Sequence, residues 1–234
     1  MEIINLSTEF LRKKGVPSPK CDVEWIVSFI TKKKRVELYL EFENPVDQEY
    51  QNKIREFVIE RGKRIPLQHI LGKVNFAGIE LYCDNRALIP RPETEELVSW
   101  IIDELKVEDQ TSKVTILDIG TGSGCIPISL AKNISNATIY ALDISSEALK
   151  TAKTNAELNN VTIEFIEADI LNLSKLPQQF DIIVSNPPYV RALEKEQMQE
   201  NVLKNEPHLA LFVEDNNPLL FYDKISDLAK NHFS

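Results

Sequence analysis

The chain has 234 residues, 43% apolar and 27% charged, enough for one large or two small domains with a real core and unlike a disordered composition. Its formal charge of −9 is uneven: residues 1–75 carry 14 Lys and Arg against 11 Asp and Glu, and residues 76–234 carry 13 against 25. So acidic a main body is a poor match for an unaided grip on a nucleic-acid backbone, and no apolar run approaches the roughly 18 residues of a membrane span.

Three widely spaced cysteines, Cys21, Cys83 and Cys125, argue for a reducing compartment and against a disulfide frame or a zinc site. The N-terminus has neither a basic start nor a long apolar stretch. The expectation is therefore a cytoplasmic protein with no membrane association. His69, His208 and His232 are dispersed, so no metal is expected.

Residues 1 to about 73 are predicted helical, with apolar residues at helical spacing in Val23, Ile26, Val27, Ile30 and again in Ile54, Phe57, Val58. Turns fall at Gly15-Val-Pro-Ser-Pro19 and Glu43-Asn-Pro45. The basic run Lys32-Lys-Lys-Arg35 reads either as a solvated helix end or as a docking patch for an acidic partner. Residues 74–90 alternate polar and apolar around Gly78 and Asp84-Asn85, which predicts a β-hairpin connector. Prolines in Leu88-Ile-Pro-Arg-Pro-Glu-Thr-Glu95 set an extended entry to a helix over about 93–106.

From about residue 113 the pattern changes. Short apolar runs at 114–119, 138–143, 162–166 and 180–185 predict strands; helices are predicted at about 124–133 and 146–159, with another near 218–230. This alternation means a parallel sheet covered on both faces. The expected domains are 1–73 (helical), 74–90 (hairpin linker) and 91–234 (α/β).

Two features carry chemistry. Asp118-Ile-Gly-Thr-Gly-Ser-Gly124 joins the first strand to its helix, and its glycines allow close backbone approach to a ligand. The third glycine comes one residue too early for a dinucleotide fingerprint, and the loop lacks a P-loop ending. Asp143 closes the second strand, where a carboxylate can accept both ribose hydroxyls, and Asp169 follows the third, where a side chain can meet an adenine edge. A nucleoside ligand without phosphates fits this set, S-adenosylmethionine better than NAD.

The fourth strand ends in Ser185-Asn-Pro-Pro-Tyr189. Two prolines stiffen the backbone and remove two N–H donors. A planar NH2 group could donate to the Asn186 side-chain oxygen and to the Pro187 carbonyl, which would aim its lone pair at a methyl group. Tyr189 offers a flat stacking surface.

Asn-Pro-Pro-Tyr on such a pattern is shared by methyltransferases acting on planar NH2 groups. Together with Pro66-Leu-Gln-His-Ile-Leu-Gly72, Leu88–Glu95, Ile116–Gly124, Val184–Val190 and Glu206-Pro-His-Leu-Ala-Leu211, it makes the chain resemble the peptide chain release factor N5-glutamine methyltransferase (PrmC/HemK) family along nearly its whole length. The resemblance implies a class I S-adenosylmethionine-dependent methyltransferase: a Rossmann-like, largely parallel α/β sheet preceded by a small helical domain and a hairpin.

It further implies that S-adenosylmethionine (S-adenosylhomocysteine as product) is held by Gly120, Thr121, Gly122, Ser123, Gly124, Asp143, Asp169, Ile170 and Asn186. The implied substrate is the glutamine of the Gly-Gly-Gln loop of bacterial class 1 release factors. Asn186, Pro187 and Pro188 would hold its amide, Tyr189 would pack against it, and the helical domain would help dock the release factor. Asn186, Pro187 and Tyr189 form the expected catalytic set. Arg91 and Glu93 would lie near the cofactor cleft, in a direct or a structural role.

A monomer without direct nucleic-acid binding is expected. Alternatives are an amino methyltransferase for adenine N6 or guanine N2, a ribosomal-protein glutamine methyltransferase, and a non-catalytic scaffold. The family resembles a seven-stranded sheet, whereas four parallel strands are recognisable here. A truncated form of a longer enzyme is therefore expected, with an unpaired apolar edge on the fourth strand.

Overall fold

The computed structural model describes residues 2–40, 47–107 and 113–230. The turn expected at 43–45 and His232 lie outside the described residues. The chain forms two units, residues 1–72 with 200–205, and residues 73–199 with 206–234.

In the first unit, α1 (Glu2–Lys13), α2 (Pro19–Thr31), α3 (Arg35–Leu40), α4 (Gln48–Gly62) and the short α5 (Leu67–Leu71) surround an apolar core. The predicted stripe is its centre: Val23, Ile26, Val27, Ile30, Ile54 and Val58 are buried, Phe57 partly so. Pro19 opens α2 at the first helical position, where its missing N–H costs nothing. Lys32 closes it in the left-handed region at φ +58°. A buried ion pair, Arg61 Nε donating to Asp22 at 2.7 Å, ties α4 to α2. Within the basic run, Arg35 pairs with Glu24 of α2.

The second unit opens with a hairpin, β1 (Lys73–Phe76) and β2 (Ile79–Tyr82), antiparallel around Ala77 and Gly78 at φ +45° and +80°. Two positive φ values in a two-residue loop match the strands' right-handed twist. The hairpin is shorter than expected, because the Asp84 carboxylate accepts from the Arg86 N–H at 2.9 Å and turns the chain away. Nor is it a mere connector, since Phe76, Ile79 and Leu81 are buried in this unit's core.

There follow α6 (Pro92–Val107), β3 (Val114–Ile119), α7 (Cys125–Asn133), β4 (Ala137–Asp143), α8 (Ser146–Leu158), β5 (Glu164–Glu167) and β6 (Ile182–Ser185). The third and fourth strands begin two residues later than expected. Beyond them lie β7 (Val190–Arg191), α9 (Glu200–Asn205, grouped with the first unit), β8 (Phe212–Val213) and α10 (Leu220–Lys230). The parallel pair β7–β8 had no signal in the sequence, being only two residues per strand.

The main sheet is parallel, in the order β5-β4-β3-β6. Period-two alternation sends Ile116, Ile139 and Ala141 to one face, packed with Val98 of α6 and with Ile126 and Ile128 of α7. Leu117, Ile119 and Leu142 go to the other, under Leu228 of α10. The outer edge of β6 has no strand partner among the described residues. Chain order reverses direction between β3 and β6, and crevices at such a point, beyond the carboxyl ends of the strands, are where open α/β sheets bind ligands.

Candidate active site

The glycine loop, Asp143 and the Asn186 corner all sit at that carboxyl edge. Ile119 is in register with Leu142 on one side and Ser185 on the other. The Ser185 hydroxyl donates to the Ile119 carbonyl at 2.7 Å, pinning the end of β6 to the start of the loop.

The loop's N–H groups point inward. Those of Gly120 and Thr121 donate to the Leu142 carbonyl (2.8 and 3.1 Å), that of Gly122 to the Asp143 carboxylate (2.8 Å), and that of Gly124 to the Thr121 carbonyl (2.9 Å). A pyrophosphate cradle requires such donors to be free. This loop cannot offer these four to an anion, in keeping with a ligand that has no phosphates.

The three glycines differ in role. Gly120 and Gly122, at φ +74° and +54°, would have nothing within 4 Å of an added Cβ, so their open side can receive a ligand. At Gly124 (φ +80°) a Cβ would lie 3.0 Å from Ile128 and 3.1 Å from Ala152. Gly124 therefore lets α7 and α8 pack closely, and its Cβ side does not face open space. Ser123 is buried, with its carbonyl accepting from Asn155 at 2.9 Å.

Asp143 is buried and accepts from the Gly122 and Ser145 N–H groups. Burial raises its carboxyl above the usual range against the pull of these donors. With the Ile144 N–H also bonding it, the carboxylate keeps at least one lone pair for a ligand hydroxyl. Asp118, on the same sheet face, is completely buried, and neither of its oxygens has a hydrogen-bond partner among the described residues. Burial pushes this carboxyl up to about 7, the nearby Thr121 hydroxyl opposing the shift and the Asp143 charge adding to it.

Asp169 caps the short turn after β5: its oxygens accept from the Leu171 N–H (2.9 Å) and the Asn172 amide (2.7 Å). Ile170 is buried with Leu117, Leu142 and Leu176, so it belongs to the core.

At the Asn-Pro-Pro-Tyr corner Asn186 is half-buried and Pro187 buried. The Asn186 Nδ2 donates to the Thr94 hydroxyl at 3.1 Å, which leaves Oδ1 to accept elsewhere. Tyr189 is 58% exposed, open to a planar group rather than packed in the fold. Arg91 makes two bonds, 2.7 and 2.9 Å, to the buried Glu206 carboxylate, which also accepts from the Ile89 N–H at 3.1 Å. Arg91 thus has a structural partner in Glu206, and Glu93 is exposed. Sequence reasoning missed Thr94, Asn155 and Glu206 as site supports; their one sequence signal was the motif segments that contain Thr94 and Glu206.

No group of three or more candidate metal ligands occurs among the described residues. The residues fit S-adenosylmethionine: an open glycine face, an edge carboxylate for ribose, and four loop N–H groups already engaged within the protein. This fold is that of a class I S-adenosylmethionine-dependent methyltransferase.

The chain matches the Methyltransferase small domain model over residues 99–210 and the PrmC N-terminal domain model over residues 2–72. It is 53% identical over 201 residues to a release factor glutamine methyltransferase of Flavobacterium psychrophilum, covering 86% of this chain and 70% of that one. Relatives of the same name in Lactococcus lactis (50% identity; 72% and 60% covered) and Leptospira interrogans (36%; 94% and 77%) are also similar. Among solved structures, the hMettl16 catalytic domain, crystallised with an RNA hairpin, shares the fold at TM-score 0.53 and 19% identity over 75% of this chain and 63% of that one. The chain belongs to the release factor glutamine methyltransferase family.

Proposed function

We propose that the chain transfers a methyl group from S-adenosylmethionine to the side-chain amide nitrogen (N5) of the glutamine in the Gly-Gly-Gln loop of class 1 peptide chain release factors. The observation that carries this reading is the Asn186 amide, half-buried at the ligand-binding edge, with its nitrogen held by Thr94 and its oxygen left to accept. An acceptor so placed recognises an NH2 group and not a hydroxylate or a thiolate.

In this reading the open face of Gly120 and Gly122 and the Asp143 carboxylate hold the nucleoside, Asp169 and the Ile170 turn flank the base, and Thr121 and Ser123 shape the loop. S-adenosylmethionine, when bound, supplies an activated sulfonium methyl. Asn186 Oδ1 accepts one hydrogen of the substrate NH2 and the Pro187 carbonyl the other, while Pro188 stiffens the bend and Tyr189 covers the amide plane. Two such acceptors polarise both N–H bonds and turn the nitrogen lone pair toward the methyl. The nitrogen gains one bond to carbon, the carbon–sulfur bond breaks, and one amide proton leaves to solvent, so no strong base is required. The partner is a release factor, met by a monomer in the cytoplasm.

The test is tritium transfer from labelled S-adenosylmethionine to a purified class 1 release factor, a ribosomal protein mixture and DNA, side by side. Label on the release factor is expected, and label only on DNA or ribosomal protein overturns the reading. Asn186→Ala should lower transfer by about 100-fold or more, while S-adenosylhomocysteine affinity by calorimetry stays within about three-fold. Equal loss of both would move Asn186 from the substrate to the cofactor.

A further inference from the structure

We infer that Thr94 is a positioning residue that anchors the Asn186 side chain with its Oδ1 left toward the substrate; this rests on the function proposed above. A carboxamide is nearly symmetric in shape, and rotating it by half a turn exchanges oxygen for NH2. Only one orientation can accept from a substrate amide; in the other, two NH2 groups face each other. In the productive orientation Nδ2 lies 3.1 Å from the Thr94 hydroxyl, which accepts its hydrogen. Without that acceptor, Nδ2 would lose its partner in the orientation that catalysis needs.

The support is rigid. Thr94 is buried and stands in the first turn of α6, its own N–H donating to the Arg91 carbonyl at 3.0 Å. Arg91 is in turn clamped to the buried Glu206 carboxylate, which also holds the Ile89 N–H. A β-branched side chain on such a base has few rotamers. The hydroxyl is thus held in place across 92 residues of sequence from the group it orients.

The experiment compares wild type, Thr94→Val and Thr94→Ser. Valine keeps the shape and removes the acceptor; serine restores it. By nitrogen NMR on the free protein, one Asn186 side-chain N–H should exchange slowly in wild type and Thr94→Ser and fast in Thr94→Val. With release factor as substrate, kcat should fall about ten-fold in Thr94→Val and recover to within about three-fold in Thr94→Ser, with KM for S-adenosylmethionine unchanged in both. Unaltered exchange in Thr94→Val, or an equal loss of kcat in both variants, overturns the inference. If wild type methylates no release factor, the proposed substrate fails, and the exchange comparison still decides whether Thr94 orients Asn186.

Discussion

Asn155 offers the sharpest test of how the second unit is held together. It is fully buried on α8 and makes three side-chain bonds. Its Oδ1 accepts from the Tyr82 N–H at 2.6 Å, and its Nδ2 donates to the Tyr82 carbonyl at 3.1 Å and to the Ser123 carbonyl at 2.9 Å. One amide thus joins the hairpin, the helix and the glycine loop. Asn155→Ala removes all three bonds and leaves the buried Ser123 carbonyl without its partner. At about 1 kcal/mol net for each bond, with a further penalty for the orphaned carbonyl, the loss is about 3–4 kcal/mol. For a protein of this size that is a fall of roughly 6–16 °C in Tm. The control is Asn159→Ala, whose Nδ2 makes one bond to the hairpin, to the Glu80 carbonyl at 2.9 Å, and one within its own helix; about 1–2 kcal/mol is expected there. Thermal unfolding followed by circular dichroism measures both, and hydrogen exchange at the Tyr82 amide should accelerate in Asn155→Ala alone. A shift below about 2 °C for Asn155→Ala, or equal shifts for the two variants, would show that the bridge adds little and the reasoning is wrong.

Two further outcomes are expected. Burial holds the Asp118 proton up to about pH 7, whereas the unfolded chain loses it near pH 4. The folded state therefore binds the extra proton in that window, and wild-type stability falls as pH climbs through it, then levels off above 7. Asp118→Asn lacks this slope; urea midpoints at pH 5 and pH 8 should show a smaller decline for the variant, and parallel declines would disprove the buried, protonated carboxyl. Among the glycines, Gly124→Ala should cost about 3 kcal/mol through left-handed strain and the clash with Ile128 and Ala152. Gly120→Ala should cost only about 1–2 kcal/mol, yet weaken S-adenosylhomocysteine binding, which thermal melts and titration will separate.

Much of the architecture was legible in the chain because it depends on near neighbours. The stripe from Val23 to Ile30 is buried as helical periodicity predicts, and the runs ending at Ile119, Asp143 and Ser185 are strands whose ends meet at one edge. The Asp118–Gly124 loop and the Asn186-Pro-Pro bend were recognisable because tight turns demand particular residues at fixed offsets. Periodicity failed where elements are too short to have a period, as in Val190–Arg191 against Phe212–Val213.

By itself, the sequence determined the strand–helix alternation, the composition of the glycine loop and the stiff corner after the fourth strand. Only the tertiary structure decided which glycines face open space and which face a helix, that Arg91 belongs to Glu206, that Thr94 holds Asn186, and that Asn155 ties the hairpin to the loop. These hydrogen-bonded pairs lie 32 to 115 residues apart in the chain. Local preference extends over a few residues, whereas a hydrogen bond depends on where packing of the whole sheet and its helices brings two side chains, which no local pattern records.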